Sequence, residues 1–309
     1  MLDIRYVRDH QEEVAQAMKN RNASWDSALF SELDEARRAV IAEVEALQQE
    51  RNTASKSIGK MMSEGKKDEA EAAKERVRAI NDQIAELDAR RDEVEGKLND
   101  LIAHTPNLPN DKTPVGKDET ENPEIRRWGT PRDFSAEGFE AKPHWDLGTD
   151  LDILDFERGN KLSGSRFTVL GGLGARLERA VINFFLDYHT QKHGYTEILP
   201  PYLVNAATMQ GTGQLPKFKE DMFHVDNTDH YLIPTAEVPV TNLYANEILD
   251  GADLPLYYTA YTACFRAESG AAGRDTRGLI RLHQFNKVEM VQYTTEEGSD
   301  EAFAELVRK

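Results

Sequence analysis

Two short stretches of the chain hold the residues best suited to chemistry. Arg266 and Glu268 sit two positions apart, after the apolar run 257–265. Arg281, Phe285 and Glu289 then recur at every fourth position. Strand side chains alternate with period two, so each set is expected on one strand face, with members four apart separated by roughly 13 Å. Arginines offer planar cations to phosphate or carboxylate oxygens, Phe285 offers an apolar ring face to a base, and carboxylates accept from amino groups. The set suits ATP together with an amino acid. Residues 269–278 join the two stretches and include Gly270, Gly273, Gly278, Arg274 and Arg277. That loop is long for a hairpin, and long loops on rigid strands often carry function. Its glycines permit close approach to a ligand, and its arginines suit phosphates or a nucleic-acid end. An ordinary surface hairpin, its arginines paired with acids, explains the loop equally well at this point.

The elements that position these residues are legible from periodicity. Residues 257–265 and 279–293 are rich in β-branched and aromatic side chains and are expected as strands. Residues 174–193 read as an amphipathic helix through Leu177, Val181, Phe184, Phe185 and Tyr188, stopped by Gly194. Short strands are expected at 195–199 and 231–233, and a helix at 242–249. Upstream, Leu33, Val40, Leu47, Ala54 and Met61 fall seven apart, as do Ala73, Ile80, Leu87, Val94 and Leu101, with Arg91 a polar intrusion. With the break at 63–65 the two runs read as an antiparallel coiled-coil hairpin, each helix reaching roughly 50 Å, beside the plainer readings of a dimerising coiled coil or a spacer. Residues 1–26 read as a short helical lead-in with Val7, Val14 and Met18 as apolar contacts. Pro106, Pro109, Pro114 and Pro123 mark a linker. The expected division is 1–103, linker 104–123, and a mixed domain 124–309.

Composition narrows the class. The net charge of −17 argues against broad nonspecific nucleic-acid binding. Residues 51–67 depart from it: Arg51, Lys56, Lys60, Lys66 and Lys67 face one acid, Glu64, a local charge of +4. A solvated helix face explains that run if charge alone is considered. A single cysteine, Cys264, excludes an internal disulfide and a cysteine-cluster zinc site, and it reads as a small buried side chain. The histidines form no HxxH cluster, His283 reads as a hydrogen-bonded strand residue, and no zinc is expected. No long apolar run predicts a membrane helix, and the start lacks a secretory pattern, so a cytoplasmic location is expected.

Taken together, 262–290 resembles motif 2 of the class II aminoacyl-tRNA synthetases, in the form of the bacterial seryl-tRNA synthetases. Residues 174–204 resemble the motif 1 helix and strand of that family, and 212–237 and the N-terminal hairpin resemble it too. The resemblance spans essentially the whole chain, and motif 2 with Thr235-Ala236-Glu237 is its most specific part. It implies an α+β fold, an antiparallel sheet flanked by helices, with an N-terminal antiparallel coiled-coil arm. Lys309 follows motif 2 closely, and the family's motif 3, with its arginine for the ATP γ-phosphate, is not in the sequence. The 309 residues are therefore expected to carry only part of the active site.

Site roles follow from the resemblance. Arg266 would bridge the ATP α-phosphate and the serine carboxylate. Glu268 would accept from the adenine amino group, Phe285 would stack on adenine, Arg281 would sit on the phosphate side, and Leu282 would line the ATP site. Thr235, Glu237 and Glu289 would contact serine. Each has a plainer reading: Glu237 as a helix cap, Phe285 as core, Glu289 as half of a strand ion pair. Arg51, Lys56, Lys60, Lys66 and Lys67 would contact tRNA. The implied reaction is serine activation by magnesium-bound ATP, then transfer to serine tRNA and to selenocysteine tRNA, by a homodimer formed through motif 1. Two rivals remain. An amino-acid-activating relative that loads a carrier protein is expected to lack the arm. A noncatalytic protein on the same scaffold does not account for Arg266, Glu268, Phe285 and Glu289 together.

Overall fold

A computed structural model describes residues 2–270, 273 and 277–309. The chain divides into two compact units, Met1–Trp128 and Gly129–Lys309.

The first unit is helical. Helices α1 (Ile4–Asp9) and α2 (Gln11–Asn20) precede two long helices, α3 (Ser27–Ser63) and α4 (Lys67–His104). Asp3 and Asp26 cap α1 and α3 by accepting from backbone N–H groups that lack an intrahelical partner. Gly65, at φ +77°, makes the turn between α3 and α4. The heptad pattern becomes a seam in which Val40 and Val44 pack with Ile80 and Ile84, flanked by Leu47 and Leu87. At the base, Val7, Val14 and Met18 are wholly buried with Phe30, Leu33, Leu98 and Ile102. One charge enters this base. Asp34 is buried and accepts from Arg8 Nε and Nη2 at 2.6 and 2.7 Å. The Arg8 guanidinium holds the Asp34 carboxyl below the usual carboxylate range, against the opposing effect of burial.

The second unit is mixed. It runs α5 (His144–Asp150), β1 (Leu154–Asp155), α6 (Phe156–Ser163), β2 (Val169–Leu170), α7 (Gly172–His193), β3 (Thr196–Glu197), β4 (Leu203–Asn205), α8 (Ala206–Gly211), β5 (His230–Leu232), α9 (Glu237–Thr241), β6 (Leu256–Phe265), β7 (Gln284–Tyr293) and α10 (Ser299–Arg308). The main sheet has the order β3-β6-β7, with β6 and β7 antiparallel along their full lengths. The expected antiparallel sheet is the β6–β7 pair, and the two-residue β3 joins β6 in parallel at its edge. β1 pairs with β2 and β4 with β5, both antiparallel. Gly194, at φ +73°, ends α7 in the left-handed conformation that glycine adopts without a steric penalty.

Three local expectations change. Residues 242–249 form turns and irregular backbone in place of a helix. Residues 279–283 lie outside β7, whose ladder begins at Gln284. The strand expected at 195–199 shortens to Thr196–Glu197. Tyr244 explains the first. Its ring packs near Tyr258 and Tyr293, and its hydroxyl meets that of Tyr258 at 2.5 Å, contacts that favour a tight turn over helix continuation. Tertiary packing of this kind overrides weak helix propensity.

Candidate active site

The site is built on β6 and β7. Ala260 pairs with Glu289, Thr262 with Lys287 and Cys264 with Phe285, so these six side chains share one face. On β6 they are small and wholly buried. On β7 they are long. Small residues beside long ones leave room for Phe285, Lys287 and Glu289 to lie over the sheet. Burial pushes the Cys264 thiol up, although Thr262, Lys287 and Arg266 pull the other way. Its Sγ lies 3.4 Å from Thr262 Oγ1. It is a packing residue.

Arg266 and Glu268 come just after β6, so strand alternation does not set their directions. Arg266 N–H donates to the His283 carbonyl at 2.9 Å, and His283 Nδ1–H donates back to the Arg266 carbonyl at 2.9 Å. This reciprocal pair extends the hairpin past its regular end and makes His283 a hydrogen-bonded backbone fastener. The Arg266 guanidinium lies over the Phe285 ring, 5.1 Å from its centroid, and its Nε donates to the Pro234 carbonyl at 3.3 Å. Glu268 takes a left-handed φ of +51°, which turns it from the direction a strand would give. Its carboxylate, mostly buried, accepts from Arg281 Nη1 at 2.5 Å. Glu268 and Arg281 therefore meet, although neither lies on a strand.

Leu282 lines two neighbouring clefts. One, of about 840 Å³, also takes in Arg277, Arg281, Arg166 and Trp145. The other, of about 390 Å³, takes in Phe285 and Phe167. The first cleft sets Lys142 and the three arginines against Asp146 and Asp150, and a net-cationic cleft beside an aromatic one suits a ligand with an anionic tail and a flat head.

The remaining predicted residues converge from the segment before α9. Thr235 Oγ1 donates to Glu289 Oε2 at 2.9 Å and accepts from the Glu237 backbone N–H at 3.2 Å. Thr235 is buried, whereas the Glu237 side chain is exposed in the first turn of α9, where an acidic residue also favours the helix dipole. Glu237 thus joins the cluster through its backbone. Its carboxylate takes no part in the Thr235–Glu289 contact.

Three positioning residues are not among those expected from the sequence. Asp221 accepts from Ser269 N–H through Oδ1 and from Ala267 N–H through its carbonyl, both at 2.8 Å, which fixes the outgoing limb of the loop. His144 Nε2 accepts from Leu279 N–H at 2.7 Å and fixes the returning limb. Lys287 contacts Glu289 Oε2. The spacing of Lys287 and Glu289, two apart in a strand, would have placed the two on one face. The other two contacts span 135 and 48 residues and leave no local pattern. Arg274 lies outside the described residues, so the expected phosphate role of the loop rests on Arg277 alone.

The tRNA residues expected on the arm fall around the α3–α4 turn. Lys60 and Lys66 lie 3.9 and 2.9 Å from Glu64, and Arg51 donates to Asn81 at 3.4 Å. Lys56 and Lys67 are exposed and, among the described residues, have no acidic partner within ion-pair distance.

Comparison with known proteins agrees with this architecture. Residues 1–109 match the Seryl-tRNA synthetase N-terminal domain, and residues 218–309 match the tRNA synthetase class II core domain (G, H, P, S and T). The chain is 54% identical to the serine–tRNA ligase of Carboxydothermus hydrogenoformans, over all of this chain and 72% of that protein. It is 53% identical to the serine–tRNA ligase of Listeria welshimeri, over 99% of this chain and 71% of that protein. The seryl-tRNA synthetase of Pyrococcus horikoshii, solved in complex with ATP, superposes with a TM-score of 0.83 at 36% identity, covering 100% of this chain and 73% of that one. The cytoplasmic serine–tRNA ligase of Naegleria fowleri, solved with AMP, gives 0.78 at 28% identity, over 99% and 70% of the two chains. With more than two thirds of a relative's length matched at this identity, and with the arm and the paired strands both in place, the chain belongs to the seryl-tRNA synthetases of class II.

Proposed function

We propose that the β6–β7 face, in a polypeptide completed with motif 3, binds ATP and serine and forms seryl-adenylate, and that the seryl group is delivered to serine tRNA and to selenocysteine tRNA. The observation that carries this reading is the convergence on one face of Arg266 with Phe285, and of Thr235 with Glu289. A planar cation beside an aromatic ring suits the α-phosphate and base of a nucleotide. A hydroxyl-anchored carboxylate nearby suits the polar groups of a small amino acid.

In the first step a serine carboxylate oxygen attacks the α-phosphorus, the new P–O bond forms, and pyrophosphate leaves. Arg266 holds both oxyanions and offsets charge that develops at phosphorus. Phe285 stacks on adenine and Glu268, steadied by Arg281, accepts from the adenine amino group. Leu282 lines the base side, while Arg281 and Arg277 face the phosphates. Thr235, Glu237 and Glu289 hold serine. In the second step a terminal ribose hydroxyl of tRNA attacks the seryl carbonyl and AMP leaves. Nothing here acts as a covalent nucleophile, so catalysis rests on positioning and electrostatics. Magnesium enters with the ATP phosphates, which hold it, as part of the substrate.

The basic turn of the arm contacts tRNA backbone, since A-form RNA offers side chains little base readout in its narrow major groove. Helix α7 exposes Leu173, Leu177, Val181, Phe184, Phe185 and Tyr188, an apolar stripe at helical spacing that suits pairing with a second copy into a homodimer. No helix among the described residues is long and apolar enough to cross a membrane. The cytoplasm is the proposed location, because the reaction needs ATP and uncharged tRNA together. Serine-dependent exchange of labelled pyrophosphate into ATP tests the reading. In a polypeptide completed with motif 3, exchange with serine and none with glycine is expected, and exchange with neither there removes the proposal.

A further inference from the structure

Of Phe285, Lys287 and Glu289, Lys287 is the one to which the reaction above assigns no part. It stands between Phe285 and Glu289, opposite the wholly buried Thr262. Its Nζ contacts Glu289 Oε2. The Thr235 hydroxyl donates to the same oxygen at 2.9 Å. Two donors therefore converge on Oε2 from different elements, one from β7 itself and one from the segment before α9. Among the described residues Oε1 accepts from none.

We propose that Lys287 is a positioning residue for serine recognition: with Thr235 it pins Glu289 by one oxygen and so presents the other to the substrate. The inference rests on the proposed role of Glu289 at the serine site. A carboxylate held by a single hydroxyl still rotates about its last torsions. A second, charged donor on the same oxygen fixes its plane, and a charge-assisted bond is roughly twice as strong as a neutral one. The ammonium also balances the carboxylate's charge in a site where both side chains are about one-quarter to one-third exposed, at 23% and 32%. An acceptor with a fixed lone-pair direction discriminates among small amino acids by whether they return a hydrogen bond in that direction. A site built to bond a hydroxyl or amine rejects an analogue lacking it, because its own polar group is then left unpaired.

The test is pyrophosphate exchange by Lys287→Met and Lys287→Arg beside the wild type, each in a polypeptide completed with motif 3, with serine and ATP varied separately. Lys287→Met is expected to raise KM for serine by about tenfold or more, the loss of one charged hydrogen bond, while KM for ATP stays within about twofold. The preference for serine over alanine should fall with it. Lys287→Arg, which keeps a cationic donor, should recover most of the serine KM. A residue that merely supported the sheet would lower the active fraction and leave both KM values and the serine-to-alanine ratio alone, and that outcome overturns the proposal. Lys287→Gln serves where Lys287→Met fails to fold. A crystal structure of the variant without substrate decides independently of turnover. Glu289 turned from its wild-type position supports the role, and an unmoved carboxylate refutes it. A wild type that shows no serine-dependent exchange removes the reaction assigned above, and the variant's Glu289 position still decides for or against the pinning.

Discussion

The His144 ring fills the space that a β-carbon on Gly278 would need. A β-carbon built there would lie 2.1 Å from His144 Nε2 and 2.8 Å from Trp145 Cε3, and Gly278 also holds φ at +72°. His144 then accepts from the next residue, Leu279. The returning limb of the loop is therefore seated against α5 by the absence of a side chain. Gly278→Ala adds both left-handed strain and overlap with aromatic rings, at a cost of about 2 kcal/mol or more. We expect a lower melting temperature and, in a polypeptide completed with motif 3, abolished pyrophosphate exchange, whereas Gly270→Ala, where a β-carbon meets nothing within 4 Å, should be mild. Equal melting temperatures for the two variants would show that the seat is not rigid.

Arg266→Ala removes the cation over Phe285 and its bond to the Pro234 carbonyl. Removing a charge-assisted interaction from the transition state costs on the order of 3 kcal/mol or more, about a hundredfold in rate. Serine-dependent exchange in a polypeptide completed with motif 3 is the readout, and near-normal exchange in this variant would sink the assigned role.

The arm and the sheet should separate by function. Replacing residues 30–100 with a short linker is expected to leave adenylate formation largely intact and to abolish tRNA charging. A folded variant in which both activities disappeared together would contradict the modular reading.

Lys56, Lys60, Lys66 and Lys67 changed together to Gln should weaken tRNA binding and flatten its salt dependence, by roughly 0.7–0.9 in log–log slope for each phosphate that the protein no longer neutralises. Lys60 and Lys66 already share Glu64, so the pair Lys56 and Lys67 should account for the larger part. Stability should move little, since exposed lysines contribute little to folding. Titrations over a range of salt decide it, and slopes that coincide with the wild type would leave the charge run as a solvated face.

The Arg8–Asp34 pair predicts acid sensitivity of the helical unit. Asp34 is held below its ordinary value in the fold, so its contribution is present above the unfolded carboxylate range and is lost as pH falls through the lowered folded value. Arg8→Met leaves a buried carboxylate with Arg38 alone, at 3.2 Å, and should cost about 2–3 kcal/mol near neutral pH. Urea melts followed by helical circular dichroism, at neutral pH and at pH near 3, should show that difference shrinking with acid. A pH-independent difference would mean that Arg8 acts by packing.

Much of this protein follows from its sequence by local rules. Heptad spacing sets the α3–α4 seam, because a helix repeats every 3.6 residues and buries whatever recurs at that period. Alternation puts Phe285 and Glu289 on one face of β7 because a strand repeats every two. The family resemblance, carried by motif 2 and the Thr235-Ala236-Glu237 segment, was legible for the same reason, as its residues are close in sequence. The tertiary structure decided the rest. Glu268 and Arg281 meet only because both leave the strands, one through a left-handed backbone and the other in the loop's return. Thr235 reaches Glu289 across 54 residues, and His144 reaches Leu279 across 135. Contacts at such separations depend on how elements dock, and docking is set by burial and shape across the whole unit, which no local period records.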